Sequence, residues 1–491
     1  MKVFIPSLAL MAAIGLATVS CRNDYEELPQ RISPKEATTL KEIDQQRTEF
    51  AEILARSMND LEVRALIKRE SAKQFDKDYD ILFSLVKDKE VRDGITFEQY
   101  LAKYAVSPER LNKLIENLPL LTIYVPELAK FSVNNWEVST QIPLVAVMNS
   151  DHDEKKHTNL KAFDYKGNRF ELASNEEPTT PVIVVKENER VVVNNNNNGR
   201  LNPESIRGRL LHRGKTNSFY FMDDVFDKEK EDAIKKAGRI ANYFATLGSP
   251  QTPVDPRVRE AWNISAPIHR DYVYYNILSP TGEGTLDYNY AEHITNIQFV
   301  NSTAISNAND DQTSDWADGG LEISVDILFF EGAGTLKNTN KMLAIPVNSI
   351  KDSNGNPRSF YLPNPVGIGP WDMNTQGNTW QFIIQEWDPI GEYTETVTHT
   401  SKFSANFKIS GTVIKIGLEG GGTYETTNTK QTTRKVSTTS DQLGKAELYF
   451  RQPVITQANY STSTIRYLMS YNVLDLNTGS VLLTVEPKKL L

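Results

Sequence analysis

The sequence predicts an α+β chain: an N-terminal helical domain over 35–118, a mixed middle region over 119–250, and a C-terminal antiparallel β-sandwich over 257–491 with a long Ser/Thr-rich hairpin at 394–440. Three observations predict it. Apolar residues recur at helical spacing as far as Leu118, strand-like runs take over after residue 119, and Pro250, Pro253 and Pro256 mark a linker. Beyond that linker short runs are separated by Gly, Pro and Asn, the pattern of a sandwich. At 491 residues and 39 % hydrophobic content, the chain suits two to four domains with real cores.

The chain opens with Met1-Lys2, a nearly unbroken apolar run from Val3 to Val19, and Thr18-Val19-Ser20-Cys21. That layout is a secretory signal peptide over 1–20, followed by a tether over 21–34. It resembles the lipobox of bacterial lipoproteins, especially the relaxed version common in Bacteroidetes, with Thr18 where Leu is usual. The resemblance implies that Cys21, the only cysteine, carries the lipid and that an outer membrane is the partner of the N-terminus. The acidic stretch Arg22-Asn23-Asp24-Tyr25-Glu26-Glu27 resembles the signal that sends such lipoproteins to the outer leaflet, which favours the cell surface over the periplasmic face. With Cys21 acylated, no thiol remains for a disulfide, a thiolate metal site or cysteine catalysis. Losing Lys2 with the signal moves the net charge from −9 to −10, which argues against a nucleic-acid partner. No later run of about 18 apolar residues follows, so the membrane is reached through lipid alone.

Ser33-Pro34 with Glu36 reads as a helix start. Leu40, Ile43, Phe50, Ile53, Leu54, Leu61 and Leu66 then keep helical spacing, Val91 to Gly94 breaks it, and Thr96-Phe97 and Ser107-Pro108-Glu109 open further helices. Leu120 to Pro126, Ile142 to Val147, Phe163 to Leu172 and Val182 to Val185 read as strands, and the tract Asn194 to Asn198 as an exposed loop. Asp223 to Thr246 reads as a helix. Beyond residue 256 the chain reads as β throughout, with strands at Tyr272 to Leu278, Ile294 to Val300, Leu321 to Phe330, Met342 to Val347 and Trp380 to Trp387.

Thr394 to Val413 alternates for twenty residues, with Val397, Phe403, Phe407 and Ile409 on one face and Thr, Ser, Asn and Lys on the other. Extended, that is about 65 Å at ~3.3 Å per residue. Gly420-Gly421-Gly422 follows, and Thr423 to Ser440 holds eight threonines. The stretch resembles the stem-forming region of aerolysin-like pore-forming proteins, which implies oligomers that open membranes. The alternation changes phase after Val413, and the return strand offers only Tyr424 and Val436 on one parity, so a lipid-facing band is incomplete. A bent hairpin at the edge of a sandwich fits better.

Signatures of chemistry are sparse. No His-Glu-x-x-His pair and no Gly-x-Ser-x-Gly turn occurs. Gly208 to Thr216 has five residues between its glycines, not the four of a phosphate loop. Its cations Arg207, Arg209, Arg213 and Lys215 read as a solvated loop, with an anionic glycan or lipid contact as the sharper alternative. Asp151-His152-Asp153-Glu154 with His157 lacks the i, i+4 spacing of a helical zinc pair. Asp310, Asp311, Asp315 and Asp318 could gather oxygens for calcium, the one candidate ion for a chain in which no cofactor is otherwise expected. Trp316, Trp371, Trp380 and Trp387 fall in the sandwich region. Of these Trp371, Trp380 and Trp387 are candidate ligand-binding residues, because exposed indoles stack sugars. Burial of all three would sink the glycan version of the binding expectation.

Two stretches, Leu160 to Asn168 leading to Pro181-Val182-Ile183-Val184-Val185, and Asp315 to Ile323, resemble parts of uncharacterised Bacteroidetes and marine-bacterial lipoproteins. The resemblance implies a secreted multi-domain protein of unassigned function and brings no catalytic residues with it. The leading functional expectation is a non-enzymatic surface protein that binds a glycan or an envelope protein through its β region. The alternatives are an aerolysin-like pore and a hydrolase whose site gathers distant residues.

Overall fold

The computed structural model describes residues 34–149, 158–174, 176–195, 207–236, 254–263, 269–276, 283–284, 286–308, 316–317, 319–331, 335–352, 354–387, 392–404, 414–415, 424–437, 441–450, 452–462 and 467–490. Cys21, the group Asp310, Asp311, Asp315 and Asp318, the group from Asp151 to His157, and 405–413 of the alternating run lie outside the described residues. The protein is α+β.

Helix α1 (Pro34–Ser57) buries Phe50, Ile53, Leu54 and Ala51, as the helical spacing requires. Then come α2 (Leu61–Ser71), β1 (Asp80–Leu82), α3 (Phe83–Val86), β2 (Glu90–Arg92), β3 (Ile95–Thr96), α4 (Phe97–Leu101) and α5 (Pro108–Asn117). Thr96 and Gln99 form a capping box at α4, and Ser107 accepts from the Arg110 amide ahead of Pro108 at α5. The break at Val91 to Gly94 is the β2–β3 turn, where Asp93 and Gly94 both take positive φ.

Strands β4 (Leu121–Tyr124), β5 (Leu144–Val147), β6 (Leu160–Phe163), β7 (Arg169–Leu172) and β8 (Val182–Glu187) join β1 in a six-stranded sheet ordered β1-β4-β8-β5-β6-β7. Only the β5–β8 pairing among these is parallel. The unbroken run Val182-Ile183-Val184-Val185 is buried on both faces, as suits a strand inside the sheet. One apolar core links Phe50, Leu66, Phe97 and Leu114 of the helices to Ile123, Val145 and Val184 of the sheet. Helices and sheet therefore share a core across residue 118. Trp316 and Ala317 also belong to it, so Trp316 is placed here and not with the later strands, where its position in the chain had put it.

Strands β9 (Val191–Asn195), β10 (Leu210–Arg213) and β11 (Asn217–Phe221) form a small antiparallel sheet, order β10-β11-β9. Helix α6 (Lys228–Lys236) lies inside the helix expected from Asp223. The expectation of β structure throughout beyond residue 256 is overturned. Helices α7 (Pro256–Asn263) and α8 (His269–Tyr275) follow the linker, and Tyr272-Val273-Tyr274-Tyr275 lies on α8, not on a strand. All four of these side chains are buried, and a short run buried all round has no periodicity by which to tell helix from strand.

The remaining chain gives β12 (Glu283–Gly284), β13 (Tyr290–Phe299), α9 (Ser302–Ala308), β14 (Leu321–Glu331), β15 (Thr335–Ile345), β16 (Phe360–Gly369), α10 (Met373–Gln376), β17 (Thr379–Glu386) and β18 (Glu392–Ser404). After these come β19 (Ile414–Lys415), β20 (Tyr424–Ser437), β21 (Gln442–Tyr449), β22 (Ile455–Thr462), β23 (Tyr467–Val473), β24 (Asp475–Asn477) and β25 (Val481–Lys489). Two antiparallel sheets, β16-β13-β25-β24 and β15-β14-β17-β21, feed one core built from Ile294, Ile297, Ile323, Val325, Phe382 and Leu483.

Strand β14 is buried along ten successive residues. Ile323, Val325, Ile327 and Phe329 enter that core. Glu322, Ser324, Asp326, Leu328 and Phe330 alternate with them on the second face and are buried as well. Two covers bury this second face. Met222 and Phe226, just past β11, pack with Met342 and Trp387 at one end. At the other end lies the hairpin β18–β20, paired from Glu392↔Ser437 to Ser404↔Tyr424. Its Val397 joins Leu328, Phe330, Leu336 and Ile383, and His399 sits 5.8 Å from the Phe330 ring. Thr396, Thr398 and Thr400 are exposed while Val397, His399 and Ser401 are buried, so the expected alternation holds here.

Candidate functional site

The second face of β14 meets the rest of the chain at two polar places of opposite character. The first is a joint made by Gln74-Phe75-Asp76-Lys77-Asp78-Tyr79-Asp80, the turn leading into β1, and by Asn188 and Arg190 between β8 and β9. Arg190 donates through Nε to the Glu322 carboxylate, through Nη2 to Asp78 Oδ2 at 3.3 Å, and through Nη1 to the Asp76 carbonyl at 3.0 Å. Asp78 Oδ2 also accepts from the Gly320 amide at 2.9 Å. Asn188 Nδ2 reaches Asp76 Oδ2 at 2.9 Å and Asp80 Oδ2 at 3.4 Å. Gly319 takes φ +115°, a region side chains disfavour, and a Cβ there would strike the Asp78 carboxylate. A Cβ on Gly320 would stand 2.7 Å from Arg190 Nη2. The two glycines thus let the backbone close onto the ion cluster.

Burial pushes the Asp80 carboxyl well above its ordinary range and raises Asp76 as well. Burial works against the Arg190 charge too, but Glu322, Asp78, Asp76 and Asp80 together hold its pKa well above the usual value. The alternating carboxylates carry a guanidinium in their midst, and among the described residues no group of three or more His, Cys, Asp or Glu is arranged to hold a metal ion. The joint fastens the first core to β14. A cavity of about 390 Å³ beside it is lined by Tyr79, Tyr124, Glu127 and Trp316.

The second place is a cleft of about 790 Å³ where the covers part. Its floor is the second face of β14 and β15, with Asp326, Asn338, Asn340 and Met342. Val192, Arg207 and Met222 form one wall, Thr394, Thr432, Thr433 and Arg434 of the hairpin the other, and Trp387 closes the end of β17. Arg434 is buried and anchors the hairpin. Its Nε donates to Glu395 at 2.6 Å, and its Nη1 to Gln385 Oε1 at 2.9 Å and Asp326 at 3.4 Å. Asp326 Oδ1 accepts from Asn338 at 3.2 Å and Asn340 at 3.0 Å, and Asn340 accepts from Arg207 at 2.6 Å. The volume falls inside the ~300–1,000 Å³ range of small-molecule sites.

Of the sequence-predicted ligand residues, Trp371 and Trp380 are 0 % exposed. Trp371 stacks on Phe450 at 4.2 Å, and Trp380 meets the same ring edge-on at 4.9 Å. Both are core residues, because both faces of each indole are wanted by the apolar layer between the sheets. Trp387 is 8 % exposed, so all three indoles are buried, the exposed stacking surface is absent, and the glycan expectation that rested on it falls. Trp387 differs in lining the cleft; its Nε1, like that of Trp380, has no hydrogen-bond partner among the described residues. Within the basic loop, Arg209 is spent on Asp227 and Glu229, while Arg207 turns to the cleft. The carboxylates Asp76, Asp78, Asp80 and Asp326 were missed in the sequence. Their signal was present: acids at every second residue beside apolar ones.

No family model, no curated protein and no solved structure matches this chain.

Proposed function

We propose that this is a membrane-anchored lipoprotein of the cell envelope. In this reading it is held by lipid on Cys21 at the outer membrane, with the cell surface favoured, and acts as a non-enzymatic binding protein. Its C-terminal region is read as an antiparallel β-sandwich whose long Ser/Thr-rich hairpin closes over one sheet. The observation that carries the binding reading is the roughly 790 Å³ cleft between the hairpin and the small β9–β11 sheet. The lining includes one carboxylate, Asp326, already held by two asparagines and an arginine. That leaves no acid–base pair for hydrolysis among the described lining residues. Polar residues on the inward side of the hairpin, His399, Ser401 and Arg434, suit a clamp on the sheet better than a lipid-facing band.

Two measurements test the proposal. Protease treatment of intact cells should remove the wild-type protein from the surface, and Cys21→Ala should abolish that exposure. Binding of solubilised envelope components to the purified chain should be lost with Thr432→Trp, a bulky side chain on the half-buried inward face of the hairpin opposite Val397. Binding indifferent to that substitution would move the site elsewhere.

A further inference from the structure

The hairpin β18–β20 can part from the sheet beneath it without breaking a strand ladder. It forms a two-stranded sheet of its own, and among the described residues no backbone pairing joins it to β14 or β17. Side chains alone fasten its inward face. Arg434 holds it at the cleft, Val397 enters the apolar cluster of Leu328, Phe330, Leu336 and Ile383, and His399 and Ser401 sit over the start of β17. The Ser401 hydroxyl accepts from the Thr379 amide at 3.2 Å. Of these fastenings the imidazole is the one that changes charge between mildly basic and mildly acid solution.

His399 is 1 % exposed, and its Nε2 stands 3.0 Å from the Thr379 carbonyl. A carbonyl only accepts, so Nε2 carries the hydrogen and the neutral ring leaves Nδ1 as a bare acceptor. Nδ1 is buried and has no hydrogen-bond partner among the described residues. A proton arriving there would find no acceptor, in a layer that water does not reach. Burial lowers the imidazole pKa, with the Thr379 carbonyl and Glu447 working the other way.

The charges around the ring do not rescue it. Lys430 stands directly opposite His399 in the hairpin register, so a protonated ring would face a like charge across the ladder. Glu447 of β21 draws the ring's charge, but it already accepts from the Tyr449 hydroxyl, and Lys445 on the same strand is exposed. On β14, Asp326 and Glu331 are taken up by Arg434 and Lys337, and Glu395 of β18 is paired with Arg434 as well. The one acid of β17, Glu386, lies at the end away from Thr379. Helix α10 has no titratable side chain, and Asp372 ahead of it is engaged by Tyr275 and Thr375.

We propose that the hairpin is an acid-released strap: closed over β14 and β17 at neutral pH, and freed when a proton on His399 breaks its fit, so that the second face of the sheet and one wall of the cleft open together. With the strap open the imidazole titrates near its ordinary value of about 6.5, and with the strap closed it titrates lower. The closed form therefore holds its full advantage above about pH 6.5 and loses it as pH falls towards the closed-form pKa, by up to about tenfold per pH unit. The inference is independent of what the cleft binds.

The test places thiols in the full chain carrying Cys21→Ala. Val397→Cys sets one under the strap, and Val325→Cys sets one on the core face of β14. Each is reacted with 4,4′-dipyridyl disulfide, and its rate is divided by that of an unfolded peptide thiol at the same pH to give a protection factor. Between pH 8 and 5, protection at position 397 should fall about tenfold or more, while protection at position 325 does not fall with it. His399→Gln keeps a donor for the Thr379 carbonyl and cannot titrate, so it should flatten the change. Should that variant leave the strap open at every pH, His399→Phe takes its place under the same criterion. Protection at 397 that stays level with His399 present, or falls equally without it, overturns the inference. A parallel fall at both positions overturns it too, because the whole sandwich is then opening.

Discussion

The joint around Arg190 and the cleft around Arg434 are two solutions to burying charge on one strand face. Both place an arginine against an acid of β14, Glu322 in the first and Asp326 in the second. At the joint, acids outnumber cations: Asp76, Asp78, Asp80 and Glu322 face one guanidinium, and two glycines let the chain close down upon it. At the cleft, Arg434 is shared between Asp326 and Glu395, and the walls stand apart. The difference teaches that an ion pair in a closed joint is a fastening, whereas one beside open volume holds a wall and leaves room for a ligand.

Four expected outcomes test this contrast. Arg190→Met should cost the most, about 3–5 kcal/mol in urea unfolding, because it strands Glu322 and Asp78 in a buried site. A loss below about 1 kcal/mol would mean the joint is wetter than its burial implies. Arg434→Met should cost less, about 1–3 kcal/mol, since Asp326 keeps its two asparagine donors. If the two arginines prove equal, the distinction between fastening and receptor fails.

The next outcome is a pH slope. The folded-state pKa of Asp80 lies above its ordinary 3.8, so between those two values the folded chain holds a proton that the unfolded chain has released. Stability therefore falls as pH rises through that window, by up to about 1.4 kcal/mol per pH unit for one proton, and levels off above the folded pKa. Urea midpoints measured from pH 4.5 upward should decline in the wild type and decline less in Asp80→Asn. Asp76 contributes in the same direction, so some slope persists. An identical slope in both proteins would clear Asp80 of that role. Smallest is the effect of Lys341→Met on folding. A half-buried cation without a contact ion pair among the described residues should change thermal stability by no more than about 0.5 kcal/mol.

Periodicity made α1, the capped starts of α4 and α5, β8 and the inward–outward rhythm of β18 legible in the sequence, because each depends on neighbours a few residues away. The site was not legible in the same way. The run Leu321-Glu322-Ile323-Ser324-Val325-Asp326 reads as one apolar and one solvated face. Local pattern cannot say that a second layer will arrive over Glu322 and Asp326 from 130 residues upstream and 70 downstream, on the order of a whole domain apart. Trp371 and Trp380 failed as ligand residues for a related reason: an indole suits a core and a sugar equally well, and only the layer above decides. For Asp76, Asp78 and Asp80 the alternation was visible, but the cation between them, Arg190, lies 114 positions beyond Asp76.

The indole of Trp316 gives the molecule an order of completion. It fills the first core and donates to the Ala173 carbonyl at 3.2 Å, from 143 residues further along the chain. A nascent chain that has reached only α6 already has every strand of the six-stranded sheet, yet must wait for about eighty more residues before the plug arrives, on the scale of several seconds at typical rates of synthesis. Closing so long a loop is a late event with an entropic cost. Until then an apolar socket stays open to whatever binds unfinished chains, and a protein cut between α6 and Trp316 keeps that socket for good.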